Sequence, residues 1–80
     1  MLRAYILIEA VVGTGPKVVA SLRAVRGVTM AERVTGPYDV IAEVEAIGEE
    51  GLGELLEDHV RRVPGITKTL TCLVVTGRRQ

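Results

Sequence analysis

The chain has no tryptophan and no phenylalanine, a single cysteine, a single histidine and a formal net charge of zero. Each shortage closes off a class of function. One cysteine, Cys72, cannot build a disulfide framework, and without a thiol pair or a Cys/His set the sequence offers no metal site. Ten basic residues matched by ten acidic ones leave no electrostatic footprint for nucleic acid or for a membrane surface. No apolar run is long enough to cross a bilayer, and no charged segment followed by an apolar stretch marks export, so the expectation is a soluble cytoplasmic protein. The lone His59 has no serine or cysteine placed beside it by sequence and reads as a residue at the edge of a helical stripe. Cys72 lies in an apolar strand run and reads as a packed thiol. No catalytic residue and no cofactor motif is expected.

What the chain does contain is aliphatic. Its only aromatic residues are Tyr5 and Tyr38, so any core must be built from Val, Leu, Ile and Ala. Eighty residues allow one domain, 1–80, with a thin core and a tendency to bury further surface in an oligomer.

Two helix-then-strand segments with parallel endings, Val25-Arg26-Gly27-Val28-Thr29 and Val63-Pro64-Gly65-Ile66-Thr67, flank the turn signal Thr35-Gly36-Pro37-Tyr38-Asp39. Ala4 to Val12 is a nearly continuous apolar run that predicts a central strand. Gly13-Thr14-Gly15-Pro16 ends it and opens a helix, with Pro16 suited to the first helical position and Val18, Val19, Leu22 and Val25 as its apolar stripe. Gly27 is placed to end that helix in a left-handed conformation. Strands follow over Val28 to Thr35 and Val40 to Ala46. A second helix runs from about Glu50 to Arg62 on the stripe Leu52, Leu55, Leu56, Val60 and Val63, with Glu49 and Glu50 near its start, where the helix dipole favours acid. Ile66 to Val75 is the last strand, and Gly77 to Gln80 reads as a frayed polar tail. The order is β-α-β, turn, β-α-β: an α+β sandwich with both helices on one face of an antiparallel sheet of order 4-1-3-2.

Alternation then assigns the two faces. With Ile6, Ile8, Val40, Ala42, Val44, Leu70 and Cys72 under the helices, the other face carries Leu7, Glu9, Val11, Arg33, Asp39, Ile41, Glu43, Glu45, Thr67, Thr69, Thr71, Leu73 and Val75. Water-facing strands seldom collect Leu7, Val11, Ile41, Leu73 and Val75 together, so the expectation is a two-fold dimer formed by packing two sheets face to face. Glu9, Glu43 and Arg33 would then need partners within the interface; the plain alternative is exposed surface charge.

The same topology brings three turns to one end of the molecule: Gly13 to Gly15, Gly36 to Asp39, and Pro64 to Thr67. Glycine backbone N–H groups there can face an anionic group, Asp39 can accept from an ammonium, and Thr67 and Thr69 add hydroxyls. A zwitterion such as an α-amino acid asks for that combination. A tight hairpin in which Asp39 bonds only to its own backbone is the competing reading.

The run Val34-Thr35-Gly36-Pro37-Tyr38-Asp39-Val40, followed by an amphipathic helix, Pro64-Gly65-Ile66-Thr67 and a threonine-rich strand, resembles the effector-binding domain of the Lrp/AsnC family, the RAM (regulation of amino acid metabolism) domain. The likeness covers about Ala4 to Val75. It implies a ferredoxin-like fold, dimers formed through the sheets, and tetramers of dimers as an octamer or a decamer-like ring. It also implies amino-acid binding between dimers near the hairpin, at Gly36, Tyr38 and Asp39, with Thr67, Thr69 and Thr71 beside them; Pro37 belongs to the same hairpin, and the alternation of faces assigns the dimer contacts to Leu7, Glu9, Val11, Arg33, Ile41, Glu43, Leu73 and Val75. No helix-turn-helix precedes Met1, so the implied form is a stand-alone module that does not read an operator by itself. It would modulate transcription or amino-acid metabolism, or co-assemble as a scaffold with full-length Lrp/AsnC-type regulators.

Other functions of βαββαβ chains fit less well. An RNA-recognition motif stacks bases on sheet aromatics, whereas this face would offer Tyr5 but then Asp39, Ile41, Glu43 and Glu45, whose acidic groups repel phosphate. A metal chaperone needs a cysteine pair in the first loop and an acylphosphatase an arginine there; Gly13-Thr14-Gly15 supplies neither. A small dimeric monooxygenase of related fold remains the enzymatic alternative.

Overall fold

The computed structural model describes residues 1–75. The expected polar tail, Gly77 to Gln80, lies outside the described residues. Four strands and two helices follow in the order β1 (Leu2–Ala10), α1 (Gly15–Arg23), β2 (Val28–Arg33), β3 (Val40–Ala46), α2 (Gly48–Leu55) and β4 (Ile66–Leu73), with a π-helical turn over Leu56–Val60. The strands form one antiparallel sheet in the order β2-β3-β1-β4, the expected arrangement, and the helices pack on one face of it. The fold is the ferredoxin-like α+β sandwich.

Alternation puts Ala4, Ile6 and Ile8 of β1 and Val40, Ala42, Val44 and Ala46 of β3 under the helices, where they meet Val18, Val19 and Leu22 of α1 and Leu52 and Leu55 of α2. Without aromatic rings to fill space, closeness has to come from small residues. The alanines at 4, 31, 42 and 46 let the helices settle onto the sheet while Ile6, Ile8, Leu22 and Val44 fill the gaps between them. Each fully buried Ile, Leu or Val contributes about 1.5–3 kcal/mol, so the loss of one is a large part of a small domain's stability.

Two helix ends differ from expectation. α1 stops at Arg23 with Ala24 as its C-cap, and Gly27, at φ 101°, turns the chain into β2 three residues later. α2 does not continue as a regular helix to Arg62. From Leu55 an ordinary turn would carry His59 onto the core stripe four residues on; the widened turn, in which Arg61 N–H donates to the Leu56 carbonyl at 2.9 Å, brings Val60 into the core and leaves His59 exposed.

Register corrects the assignment of the faces on both edge strands. Cys72 lies opposite Tyr5 and Leu70 opposite Leu7, so both sit on the face away from the helices. Leu73 is opposite Ala4, Thr71 opposite Ile6 and Thr69 opposite Ile8, which places them on the helix side. Thr67 falls at the register shift between Glu9 and Ala10, and Val75 lies beyond the end of β4. On β2, Arg33 pairs with Val40 and therefore belongs to the helix side, while Glu32 pairs with Ile41 on the open face. The cause is layout. The helices lie mainly over β2, β3 and β1 and cover β4 little, so the middle of its helix side suits Thr69 and Thr71 while Leu70 and Cys72 turn the other way.

The open face now has a defined pattern. Ile41, Leu7 and Leu70 form a row across β3, β1 and β4, with Tyr5 and Cys72 paired alongside. Leu70 is 47% exposed and Tyr5 37% exposed. Glu43, expected to need a partner within the interface, has two in its own chain: Arg3 Nε at 3.4 Å and the Thr29 hydroxyl, which donates to it at 2.9 Å.

Candidate functional site

The three turns do meet at one end. Val11 N–H donates to the Gly65 carbonyl at 2.8 Å, and the Thr67 hydroxyl donates to the Glu9 carbonyl at 3.1 Å, tying the start of β4 to the end of β1. A methyl group on Gly65 would stand 3.0 Å from the Thr14 side chain, and Gly65 has φ 100°, so this close crossing of loops requires glycine. Asp39 joins the hairpin to the same cluster. Its own N–H donates to the Ile8 carbonyl at 2.8 Å, its carbonyl accepts from Val34 N–H at 3.0 Å, and its Oδ2 accepts from Ala10 N–H at 2.7 Å.

That last bond differs from a self-closing turn. The carboxylate reaches across to β1 where the register with β4 shifts and takes up a backbone donor there. Oδ1 makes no hydrogen bond of its own among the described residues. Gly36, at φ 143°, and Pro37 are exposed at the hairpin tip, and a methyl group added to Gly36 would meet nothing within 4 Å. Tyr38 is half-buried.

Asp39 borders a cleft of about 230 Å³ formed with the Val11–Gly15 loop, Pro16, Arg33 and Val34. Thr67 and Thr69 line a separate hollow of about 90 Å³ with Arg61 and Lys68. Thr71, farther along β4 opposite Ile6, borders neither. The predicted ligand residues are thus split between the hairpin cleft and the β4 edge within one chain. A larger, shallow groove of about 560 Å³ lies at the other end of β1, between Arg26, Glu54 and His59, and contains none of them.

Sequence reasoning missed Arg33 as a member of this cleft. The signal was present: Ala31 is a core-type residue, and a strand that buries residue 31 turns residue 33 to the same side. Gly15 also belongs here, because the Arg33 side chain lies against it, with Nε 3.1 Å from where a β-carbon would stand.

The chain is thus a small ferredoxin-like domain whose loops gather at one end around a cleft. The family model for the Lrp/AsnC ligand binding domain matches residues 3–78, and the chain belongs to that family. Its structure is similar to that of FFRP-DM1, at 31% identity and a TM-score of 0.89 over 94% of this chain and 100% of the other. It is similar as well to the hypothetical protein PHS023 from Pyrococcus horikoshii, at 30% identity and TM-score 0.89 over 96% and 93%. A more distant likeness is to the transcriptional regulator NMB0573 from Neisseria meningitidis, solved as an L-Met complex, at 16% identity and TM-score 0.84; there the match covers 99% of this chain and 53% of the regulator. Comparison with curated proteins found no match.

Proposed function

We propose that the chain is a regulatory module that senses a small effector, an amino acid, at the hairpin end of the domain, within a site completed where two dimers meet. The observation that carries this reading is Asp39 at the edge of the loop cluster. One carboxylate oxygen is pinned by Ala10 N–H and the other is free to accept from an ammonium, in a chain of the Lrp/AsnC ligand-binding family. The L-Met complex of the Neisseria regulator supports the class of ligand. The hairpin tip, with Gly36 unobstructed and Pro37 exposed, is free to meet a neighbouring dimer, and Thr69 and Thr71 on the β4 edge, with the Thr67 oxygen as an acceptor, can contribute from such a neighbour.

A second reading, a scaffold that co-assembles with full-length regulators of the family, is favoured by the apolar row on the open face, which suits a matching sheet of any family member. A thermal-shift screen against the twenty amino acids separates the two. A ligand bound only by the native state raises the melting temperature by mass action. The sensing reading expects one amino acid, or a chemically related few, to do so with a saturable concentration dependence. A flat response to all twenty leaves the scaffold.

A further inference from the structure

We propose that Arg33 is the carboxylate anchor of the effector cleft and that the amino acid it selects has a small aliphatic side chain. This rests on the sensing reading above and goes beyond it in naming the anchor and the ligand subclass.

Arg33 and Asp39 border the same cleft, yet no ion pair joins them. The ion pairs among the described residues use Arg3, Arg23 and Arg61 and leave Arg33 without a carboxylate partner. Both side chains are exposed, so water solvates each charge and the pair would gain little by closing on itself. Asp39 is fixed by Ala10 N–H at 2.7 Å, and the Arg33 guanidinium lies along Gly15, whose missing side chain makes the room for it. A simple anion entering the cleft would gain Arg33 but face Asp39, and a simple cation would meet the reverse. A molecule carrying both charges satisfies both groups, and the planar guanidinium fork matches a carboxylate with two parallel hydrogen bonds. Apart from these two groups the lining is Ala10, Val11, Val12, Pro16 and Val34 with two glycines, without an aromatic ring or a further charge. The cleft, about 230 Å³, lies below the roughly 300–1,000 Å³ of sites for drug-sized ligands, which suits a compact aliphatic group.

Calorimetric titration with L-valine and L-valinamide at a pH where both amines are protonated tests the anchor, because the amide keeps the ammonium and the side chain but loses the negative charge and exchanges one acceptor oxygen for an NH2 donor. The wild type is expected to prefer valine by roughly ten- to a hundredfold, the range for hydrogen bonds to a charged group. Arg33→Gln should lose that preference and bring the ratio close to one, whereas Arg33→Lys, a point charge without the fork, should retain part of it. Gly15→Ala, which keeps every charge but sets a methyl group 3.1 Å from Arg33 Nε, should also lower valine affinity and leaves the test standing if Arg33→Gln folds poorly. An Arg33→Gln protein that still prefers valine as the wild type does overturns the anchor. Binding of acidic, basic or aromatic amino acids in place of aliphatic ones overturns the subclass. A wild type that binds no amino acid overturns the sensing reading itself, and this inference with it.

Discussion

Asp39 acts in the fold as well as at the surface of the cleft, and the two roles can be separated by substitution. The bond from Ala10 N–H at 2.7 Å lies in an exposed setting, so water can replace the carboxylate there, and its loss costs about 1 kcal/mol. Asp39→Ala is therefore expected to lower stability by about that amount in urea unfolding and to weaken effector binding by roughly ten- to a hundredfold as well. Asp39→Asn is the more informative change. Its amide oxygen can still accept from Ala10 N–H while the negative charge is gone, so the melting temperature should stay near that of the wild type while affinity falls. An Asn variant with unchanged affinity would remove the ammonium contact and leave Asp39 as a hairpin tie alone. Thr67 offers a smaller parallel: its hydroxyl already donates to the Glu9 carbonyl at 3.1 Å, so its use toward a ligand is through its oxygen as an acceptor.

Among the elements, those with two-sided patterns were legible and those at the edges were not. β1 and β3 carry alternating core and surface residues, and each is flanked by strands on both sides, so counting by twos placed Ile6, Ile8, Val40, Ala42 and Val44 under the helices and Leu7, Glu9, Ile41, Glu43 and Glu45 on the other face correctly, while Val11 falls beyond the end of β1. β4 broke the rule that apolar residues face the helices, because the helices cover it little; Leu70 and Cys72 face away and Leu73 lies on the helix side. Arg33 was misplaced through its charge, although Ala31 two residues earlier gave its side. The π-helical turn left no separate trace, since the stripe Leu52, Leu55, Leu56, Val60, Val63 reads as helical with or without an inserted residue. The convergence of three loops was legible because topology alone imposes it; the cleft within it depends on where Arg33 and Val12 point. Gly27 shows how firmly one such joint is fixed. It has φ 101°, its carbonyl accepts from Glu45 N–H at 2.8 Å, and a β-carbon would stand 3.1 Å from a Leu55 methyl group and 3.2 Å from the Glu45 carbonyl oxygen. Gly27→Ala should accordingly cost about 1–3 kcal/mol in chemical denaturation. Because the joint lies at the opposite end of β1 from the hairpin cleft, effector affinity should change little; a fully stable Gly27→Ala protein would show that the backbone relaxes there at small cost.

For the molecule as a whole, the corrected faces sharpen the case for assembly. The sheet face away from the helices holds Ile41, Leu7 and Leu70 in one row and Tyr5 beside Cys72, a continuous apolar strip rather than scattered residues. Its charges are partly settled within the chain, since Glu43 is held by Arg3 and Thr29, so packing a second sheet on it would not strand that carboxylate. The pattern supports the proposed two-fold dimer through this face, and the register says which leucine would belong to it. Leu70 and Leu73 are almost equally exposed, at 47% and 46%, but lie on opposite faces of β4. Leu70→Asp should place an unpaired charge in the interface, cost several kcal/mol of association free energy and give a monomer in equilibrium sedimentation, as should Ile41→Asp. Leu73→Asp adds the same charge at the same exposure three residues away and should leave the dimer intact. Dissociation by Leu73→Asp with retention by Leu70→Asp would mean that the chains meet through the helix-side edge of β4, and a wild type that sediments as a monomer would mean that the apolar strip is reserved for a different partner.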